Sequence, residues 1–181
     1  MLKILILLWL SLVCLSTLAF AEQSEQKIND SQASLSPDGK QSVLIRDNQL
    51  LLMDVSGNNA HTIVLPHEHE DPKQNLTALN NPVFSLNGKA VYFMSAAWAT
   101  SDAIHVVDLA NNKQRFVTDG NSLELVPSGK YKDYLIVSKH KYRKGGGSYE
   151  DFWLVSPKGK AIKSLGEEQE QVNTFIRANL K

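Results

Sequence analysis

Phe84-Ser85-Leu86-Asn87-Gly88-Lys89 is a polar turn that closes one apolar run and opens another, and copies of it recur along the chain. Ser36-Pro37-Asp38-Gly39-Lys40 is a sharper copy upstream, and Val126-Pro127-Ser128-Gly129-Lys130 a looser one downstream. Each pairs turn-forming residues with a glycine free to take positive φ and a lysine that opens the next run. The glycines lie 49 residues apart (Gly39 to Gly88) and then 41 (Gly88 to Gly129), close to the roughly 40 to 50 residues of a propeller blade.

Outward from these turns the chain divides into short strands. Gln41 to Ile45, Gln49 to Val55 and His61 to Leu65 follow Ala33-Ser34-Leu35, separated by Asp47-Asn48 and Ser56-Gly57-Asn58-Asn59. Pro82 to Ser85, Ala90 to Met94, Ala103 to Leu109 and Gln114 to Thr118 repeat the order, with a wider loop at Ser95 to Asp102. A third unit runs from Ser122 past Gly129 to Tyr142, then Tyr149 to Val155 and Ala161 to Leu165. Period-2 runs bounded by turn residues at this spacing predict an all-β chain of three four-stranded antiparallel meanders. Ser156-Pro157-Lys158-Gly159-Lys160 imitates the opening turn, but only one short strand fits after it. Beyond it, Val172, Phe175, Ile176 and Leu180 share a helical face, with acidic residues ahead and Arg177 and Lys181 behind, which predicts a short closing amphipathic helix from about Glu167 to Asn179. The expected organisation is a leader at 1–21, a flexible arm at 22–31, a propeller-like β domain at 32–166 and the helical segment at 167–181.

Ser-Pro-Asp-Gly-Lys at 36–40 and Ser-Leu-Asn-Gly-Lys at 85–89, each followed by a strand and then by Leu52-Met53-Asp54-Val55 or Val106-Val107-Asp108-Leu109, resemble the blades of TolB-type β-propellers. The likeness is good over Ala33 to Gly120 and weaker over Ser122 to Gly166. It implies an all-β fold, export in bacteria, and use in protein–protein contacts or as the front domain of serine peptidases. The shared motif is a turn, so it brings no functional residues with it. Propellers need about four or more blades to close. Three units therefore predict propeller-like blades in an open arrangement, with the helix over an edge, or a half ring completed by a second copy in a homodimer.

Lys3, the apolar run Ile4 to Leu18 and the small-x-small Ala19-Phe20-Ala21 form a secretory signal with cleavage near Ala21. The apolar run is short for a membrane span of ~20 residues, so no integral membrane segment is expected in the mature chain. The lone cysteine, Cys14, lies inside that leader, and Val13 stands before it where lipoprotein processing favours a small residue, so anchoring at Cys14 ranks second to cleavage. A chain starting at Glu22 has no disulfide and no thiolate chemistry. Removing 21 of 181 residues leaves 160, enough for one domain with a core. Without Lys3, 18 basic face 19 acidic side chains, a balance that offers no field for nucleic acid. The expected location is periplasmic or secreted, and the expected partner is another exported or envelope protein.

Radial meanders place the loops between second and third strands on one face with the linkers between units, and the glycine turns on the other. The loops that depart most from turn chemistry fall on the first face: Ser95 to Asp102 with Trp98, Lys139 to Glu150, and the linker Pro66 to Asn81. Lys139 to Glu150 reads as a long hairpin whose glycine tip sets Lys141 opposite Asp151 or nearby. One reading makes it a contact loop for an anionic or acidic partner, with Trp98, His140, Tyr142, Arg143, Lys144, Gly145, Gly146, Gly147 and Tyr149 as contact residues and Trp153 as a further anchor. The other leaves its charges in water and its aromatics in the core.

His67-Glu68-His69-Glu70-Asp71 alternates imidazole and carboxylate donors, and His67 and His69 would project to one side of an extended segment toward Zn²⁺ or Cu²⁺. The same residues describe a solvated acidic linker between Pro66 and Pro72, and no further ligand is evident. His61 and His105 read as strand residues. No Gly-x-Ser-x-Gly elbow is present, since Gly146-Gly147-Ser148-Tyr149-Glu150 fails at its last position. Asp54 and Asp108 end strands at equivalent places and suit turn hydrogen bonding. No catalytic residue and no cofactor is expected. The leading expectation is an exported, non-enzymatic binding or scaffold module. The alternatives are a small inhibitor or immunity protein against an exported toxin or hydrolase, and a metal-binding protein through His67 and His69.

Overall fold

The computed structural model describes residues 33–180. The leader at 1–21 with Cys14, the arm at 22–31 and Lys181 lie outside the described residues. Among the described residues twelve strands form three antiparallel sheets of four, each in sequence order. The first blade is β1 (Ser34–Leu35), β2 (Gln41–Arg46), β3 (Gln49–Asp54) and β4 (His61–Val64). The second is β5 (Thr77–Phe84), β6 (Ala90–Trp98), β7 (Ser101–Asp108) and β8 (Gln114–Gly120). The third is β9 (Glu124–Leu125), β10 (Leu135–Tyr142), β11 (Ser148–Val155) and β12 (Ala161–Gly166), followed by helix α1 (Gln169–Asn179). Three meanders and a closing helix are the architecture the turn repeat predicts.

The two sharp turns build the same hydrogen-bond network. Gly39 and Gly88 both take φ of 69°, and their N–H groups donate to the carbonyls of Ser36 and Ser85 at 2.9 Å. The Ser36 hydroxyl donates to Asp38 Oδ1 at 2.7 Å and that of Ser85 to Asn87 Oδ1 at 2.9 Å, while each hydroxyl also accepts the N–H five residues on. These turns satisfy their own polar groups and so form wherever the residues recur. The looser copy departs from this. After Val126 the chain makes a 3₁₀ turn at Gly129–Tyr131 and reaches β10 through Asp133 at φ 68°.

Blades stack face to face. Val43, Leu50 and Leu52 of the first meet Phe84, Val91, Phe93 and Val107 of the second, and Met94, Ile104 and Val117 of the second meet Leu135, Val137 and Val155 of the third. Helix α1 takes the next place. Val172 and Phe175 bury against Val126, Ile136 and Leu154, so the face of the third blade that would receive a fourth is covered. A fully buried side chain of this size contributes about 1.5–3 kcal/mol. The helix begins at a capping box in which Glu168 and Gln171 satisfy each other's backbone N–H groups, two residues later than expected. Among the described residues no helix is long and apolar enough to cross a membrane.

Two boundaries differ from expectation. β5 starts at Thr77, inside the presumed linker, because bulges absorb the turn-like Asn80-Asn81-Pro82 and carry Ala78 and Asn81 at φ of 47° and 48°. Ser95 to Asp102 is no wide loop: β6 and β7 pair up to Trp98–Ser101, leaving Ala99 and Thr100 as the tip.

Candidate functional site

The hairpin tips between second and third strands are Asp47-Asn48, Ala99-Thr100 and Arg143 to Gly147, and asparagines tie these hairpins to neighbouring segments. Asn48 Oδ1 accepts the Leu79 N–H at 2.7 Å. Asn75 Nδ2 donates to the Ala96 carbonyl at 2.9 Å. Asn121 Nδ2 donates to the Thr100 carbonyl at 3.0 Å and to Glu150 Oε1 at 3.3 Å, and its Oδ1 accepts the Asp102 N–H at 3.3 Å. Asn121 thereby fixes the second blade's hairpin relative to the third's.

Between those two hairpins opens a cleft of about 560 Å³ lined by Trp98, Phe116, Lys73, Asp119, Lys139 and His140 among others. Trp98 is 38% exposed and meets Phe116 edge-on at 6.3 Å. Lys73 Nζ stands 5.8 Å from the Phe116 ring centre, within cation–π range. Lys139 crosses from β10 to the second blade, donating to Asp119 Oδ1 at 2.6 Å and Thr118 Oγ1 at 3.0 Å. Burial pushes the Asp119 carboxyl up, but the Lys139 ammonium, together with hydrogen bonds from the backbone and Thr118, outweighs it and holds the group below the usual carboxylate range. His140 Nδ1 lies 3.0 Å from Glu150 Oε1.

Two of the nine expected contact residues, Trp98 and His140, line this cleft. Tyr142 stands just beyond, 71% exposed, with its ring 5.0 Å from that of His140. Arg143 and Tyr149 engage each other, the guanidinium lying 4.3 Å from the ring centre, and Arg143 also pairs with Glu167, whose carboxylate raises its pKa. Lys144 and Gly145 to Gly147 form the exposed tip, with Gly146 and Gly147 at φ of 96° and 79°. The hairpin register differs from expectation: Lys141 faces Tyr149, and Asp151 faces Lys139. Asp151 instead accepts from Trp153 Nε1 at 2.5 Å and from the Ser164 hydroxyl at 2.6 Å. Phe116, Asp119 and Asn121 join the site without any local sequence signal, because docking of blades brings them there.

A larger groove of about 780 Å³ opens beside the Asn87-Gly88 and Asn111-Asn112 turns of the second blade. Its cations Lys89, Lys113 and Arg115 share it with Asp108 and Asp133, and Arg115 is committed to the Pro157 carbonyl at 2.7 Å. Three cations against two carboxylates, one of the cations used for blade contact, give this groove little to select a ligand with. Asp54 and Asp108 accept the N–H groups of Asn58 and Ala110 at 2.8 and 2.9 Å, as turn residues do.

His67 and His69 have ring centres 5.9 Å apart. Nδ1 of His69 accepts the Asp71 N–H at 2.9 Å, and the Asp71 carboxylate accepts from the Lys73 N–H and Gln74 Nε2. Among the described residues no group of three His, Cys, Asp or Glu is arranged to hold a metal ion. Deeper in the second blade, Ser95 Oγ lies 3.0 Å from His105 Nε2 and donates to the Asn75 carbonyl at 2.8 Å. Ser95 is fully buried, and His105 is 2% exposed between Phe93 and Phe116. Burial lowers the His105 pKa to about 4. A neutral imidazole and a hydroxyl enclosed in this way satisfy each other but meet no substrate.

No family model matches the sequence, and no curated protein matches it. Among solved structures, TolB from Acinetobacter baumannii is similar with a TM-score of 0.51 and 17% identity, over 74% of this chain and 31% of that one. The fold is TolB-like and of the β-propeller type. A putative TolB from Agrobacterium tumefaciens aligns at TM-score 0.47 and 18% identity, over 72% of this chain and 47% of that one. The β-propeller domain of the trilobed protease from Pyrococcus furiosus, which has an open velcro topology, aligns at 0.49 and 17%, over 76% and 42%. The chain thus spans less than half the length of each. Within this TolB-like chain each described blade is built from one continuous segment, and the cleft with Trp98 and His140 lies between the second and third.

Proposed function

We propose that the protein is an exported, non-enzymatic binding or scaffold module that contacts another exported or envelope protein through the loops between the second and third strands of its blades. The observation that carries this reading is the meeting of Trp98, Phe116 and His140 in one open cleft between two hairpins, with Tyr142 exposed beside it. Half-exposed aromatics beside charged pairs are the composition of protein-binding hot spots. The TolB-like propeller fold is in keeping with it. Export rests on the leader at 1–21, and N-terminal sequencing of the periplasmic protein is expected to begin at Glu22.

Capture from envelope extract tests the contact face. Wild type is expected to recover a partner that a Trp98→Ala, Tyr142→Ala double variant loses. Equal recovery by both removes this face from consideration.

The protruding β10–β11 hairpin favours a second reading, an inhibitor or immunity protein against an exported toxin or hydrolase. Its tip is braced by Arg143 on Glu167 and Tyr149, while Tyr142 projects into solvent, a shape suited to plugging a cleft. That reading requires the captured partner to be a hydrolase whose activity falls on adding the purified protein.

A further inference from the structure

The third blade has an inner strand too short for its neighbour. β9 pairs only with Leu135 and Ile136 of the eight-residue β10. The chain enters from β8 at Gly120, and Asn121 and Ser122 extend the line by one step. The Asn121 N–H donates to the Ser138 carbonyl at 2.8 Å, and the Ser138 N–H donates to Ser122 Oγ at 3.0 Å. Beyond Ser138 no strand runs along this edge among the described residues.

The hairpin register says which groups face that edge. The Arg143 N–H donates to the Gly147 carbonyl at 3.1 Å, next to the Tyr142–Ser148 pair. Tyr142 and Ser148 are therefore a non-hydrogen-bonded pair, and so, two and four residues down, are His140–Glu150 and Ser138–Phe152. Residues in such pairs turn their N–H and C=O groups away from the partner strand, as Ser138 does toward Asn121 and Ser122. His140 and Tyr142 thus direct two N–H and two C=O groups outward, where among the described residues no neighbouring strand meets them. Blade two differs, because β5 follows β6 as far as Thr77–Ala96.

We infer that this edge is a strand-addition site, where an extended, acidic segment of a partner protein continues the line of β9 beside His140 and Tyr142. The inference rests on the protein-binding reading above and gives that reading its chemistry: main-chain pairing supplies affinity, and flanking side chains select the sequence. Charge selects an acidic segment. Glu150 is engaged by His140 and Asn121, and Asp151 by Trp153 and Ser164, whereas Lys141 and Lys144 have no acidic partner within ion-pair distance among the described residues. Those two lysines also oppose edge-to-edge pairing of two copies, a common use of lysine on open edges.

Among the described residues the register leaves the Tyr142 N–H without a partner strand, so proline at 142 deletes a donor needed only for an added strand. Proline at 141 removes an N–H of the β10–β11 ladder and is the contrasting variant. The probe is an acetylated decapeptide of alternating glutamate and valine, read by amide hydrogen exchange. In the free protein the amides of His140 and Tyr142 are expected to exchange quickly and those of Lys139 and Lys141 slowly. Saturating peptide is expected to slow His140 and Tyr142 at least tenfold. Tyr142→Pro is expected to abolish the protection at His140, whereas Tyr142→Ala, which keeps the N–H, retains most of it.

No protection in wild type, or full protection of His140 in Tyr142→Pro, overturns the inference. Protection in the free protein that fades on dilution assigns the edge to a second copy. Protection that disappears when residues 22–32 are removed assigns it to the chain's own arm. Either result also overturns it. Failure here with the Trp98-dependent capture intact leaves the scaffold reading standing, and failure of that capture with the peptide bound does the reverse.

Discussion

Gly159 sits against the main chain of the neighbouring blade: a Cβ built on it would stand 2.1 Å from the carbonyl oxygen of Val117. Gly159 also holds φ at 88°, so a side chain there meets both backbone strain and a rigid obstacle. Gly39 has the same kind of turn but nothing within 4 Å of its Cβ position. Gly159→Ala is expected to lower stability by about 2–4 kcal/mol, combining strain with overpacking. Gly39→Ala is expected to cost about 1 kcal/mol, the strain alone. Urea unfolding midpoints decide this, and equal losses would deny the blade contact its role.

That glycine also marks where sequence reading stops. Ser156 to Lys160 carries nearly the same residues as Ser36 to Lys40, yet one turn joins third and fourth strands and the other first and second. Local chemistry dictates a turn in both cases; the single short strand that fits after Lys160 tells them apart in sequence, and the packing of Gly159 against Val117 does so in the fold. The three meanders were legible because each turn satisfies its own polar groups. Asn80-Asn81-Pro82 looks like a strand terminator in sequence, and bulges that depend on cross-strand partners overrule it in β5. The site divides in the same way. Trp98 and His140 stand out by residue type, but Phe116 and Asn121 acquire their places only when blades dock. The β10–β11 register was misjudged by two residues because the tip is centred on Gly145, closed by Arg143 and Gly147, not on the middle of the glycine run.

Burial of His105 makes stability depend on pH. Its folded pKa of about 4 lies below the ordinary 6.5, so the unfolded chain takes up the proton first as pH falls. The contribution is whole above pH 6.5, declines between 6.5 and about 4, and does not fall further below that. A shift of this size corresponds to a loss of about 3 kcal/mol across the window. His105→Phe, stacked in the same aromatic surroundings, is expected to flatten the slope. Unfolding midpoints at pH 7, 5.5 and 4.5 for both proteins test this, and parallel curves would exclude His105 as the source.

Helix α1 decides whether blades add to the third one. A ring made from two chains would need the face where Val172 and Phe175 meet Ile136 and Leu154. The chain at 22–181 is therefore expected to sediment as a monomer. Ending it at Gly166 bares that face and is expected to give concentration-dependent association, and Phe175→Ala is expected to cost about 3 kcal/mol. A dimer of the intact chain would show that α1 leaves its seat.

Zinc titration addresses His67 and His69. The Asp71 N–H occupies Nδ1 of His69, the Asp71 carboxylate accepts from the Lys73 N–H and Gln74 Nε2, and among the described residues no group of three donors is arranged to hold a metal ion. Heats for wild type and for His67→Ala, His69→Ala are expected to coincide. A saturable wild-type signal absent from the double variant would establish a site.

Lys139 and Asp119 join the second and third blades directly beneath the cleft, with side chains 13% and 48% exposed. Because Lys139 is the more enclosed partner, removing Asp119 leaves a poorly solvated ammonium, whereas removing Lys139 leaves a carboxylate that water still reaches. Asp119→Asn is therefore expected to destabilise more than Lys139→Met, with a coupling of about 1 kcal/mol in a double-mutant cycle. The sign with pH follows from the lowered Asp119 pKa. The coupling is present above the ordinary carboxylate value of 3.8 and is lost as pH falls through the lower folded value. High salt is expected to weaken it only slightly, since the pair is partly shielded from solvent. Should Lys139→Met prove the costlier change, the pair's energy would lie in the packing of the lysine stem across the blade boundary and not in its charge.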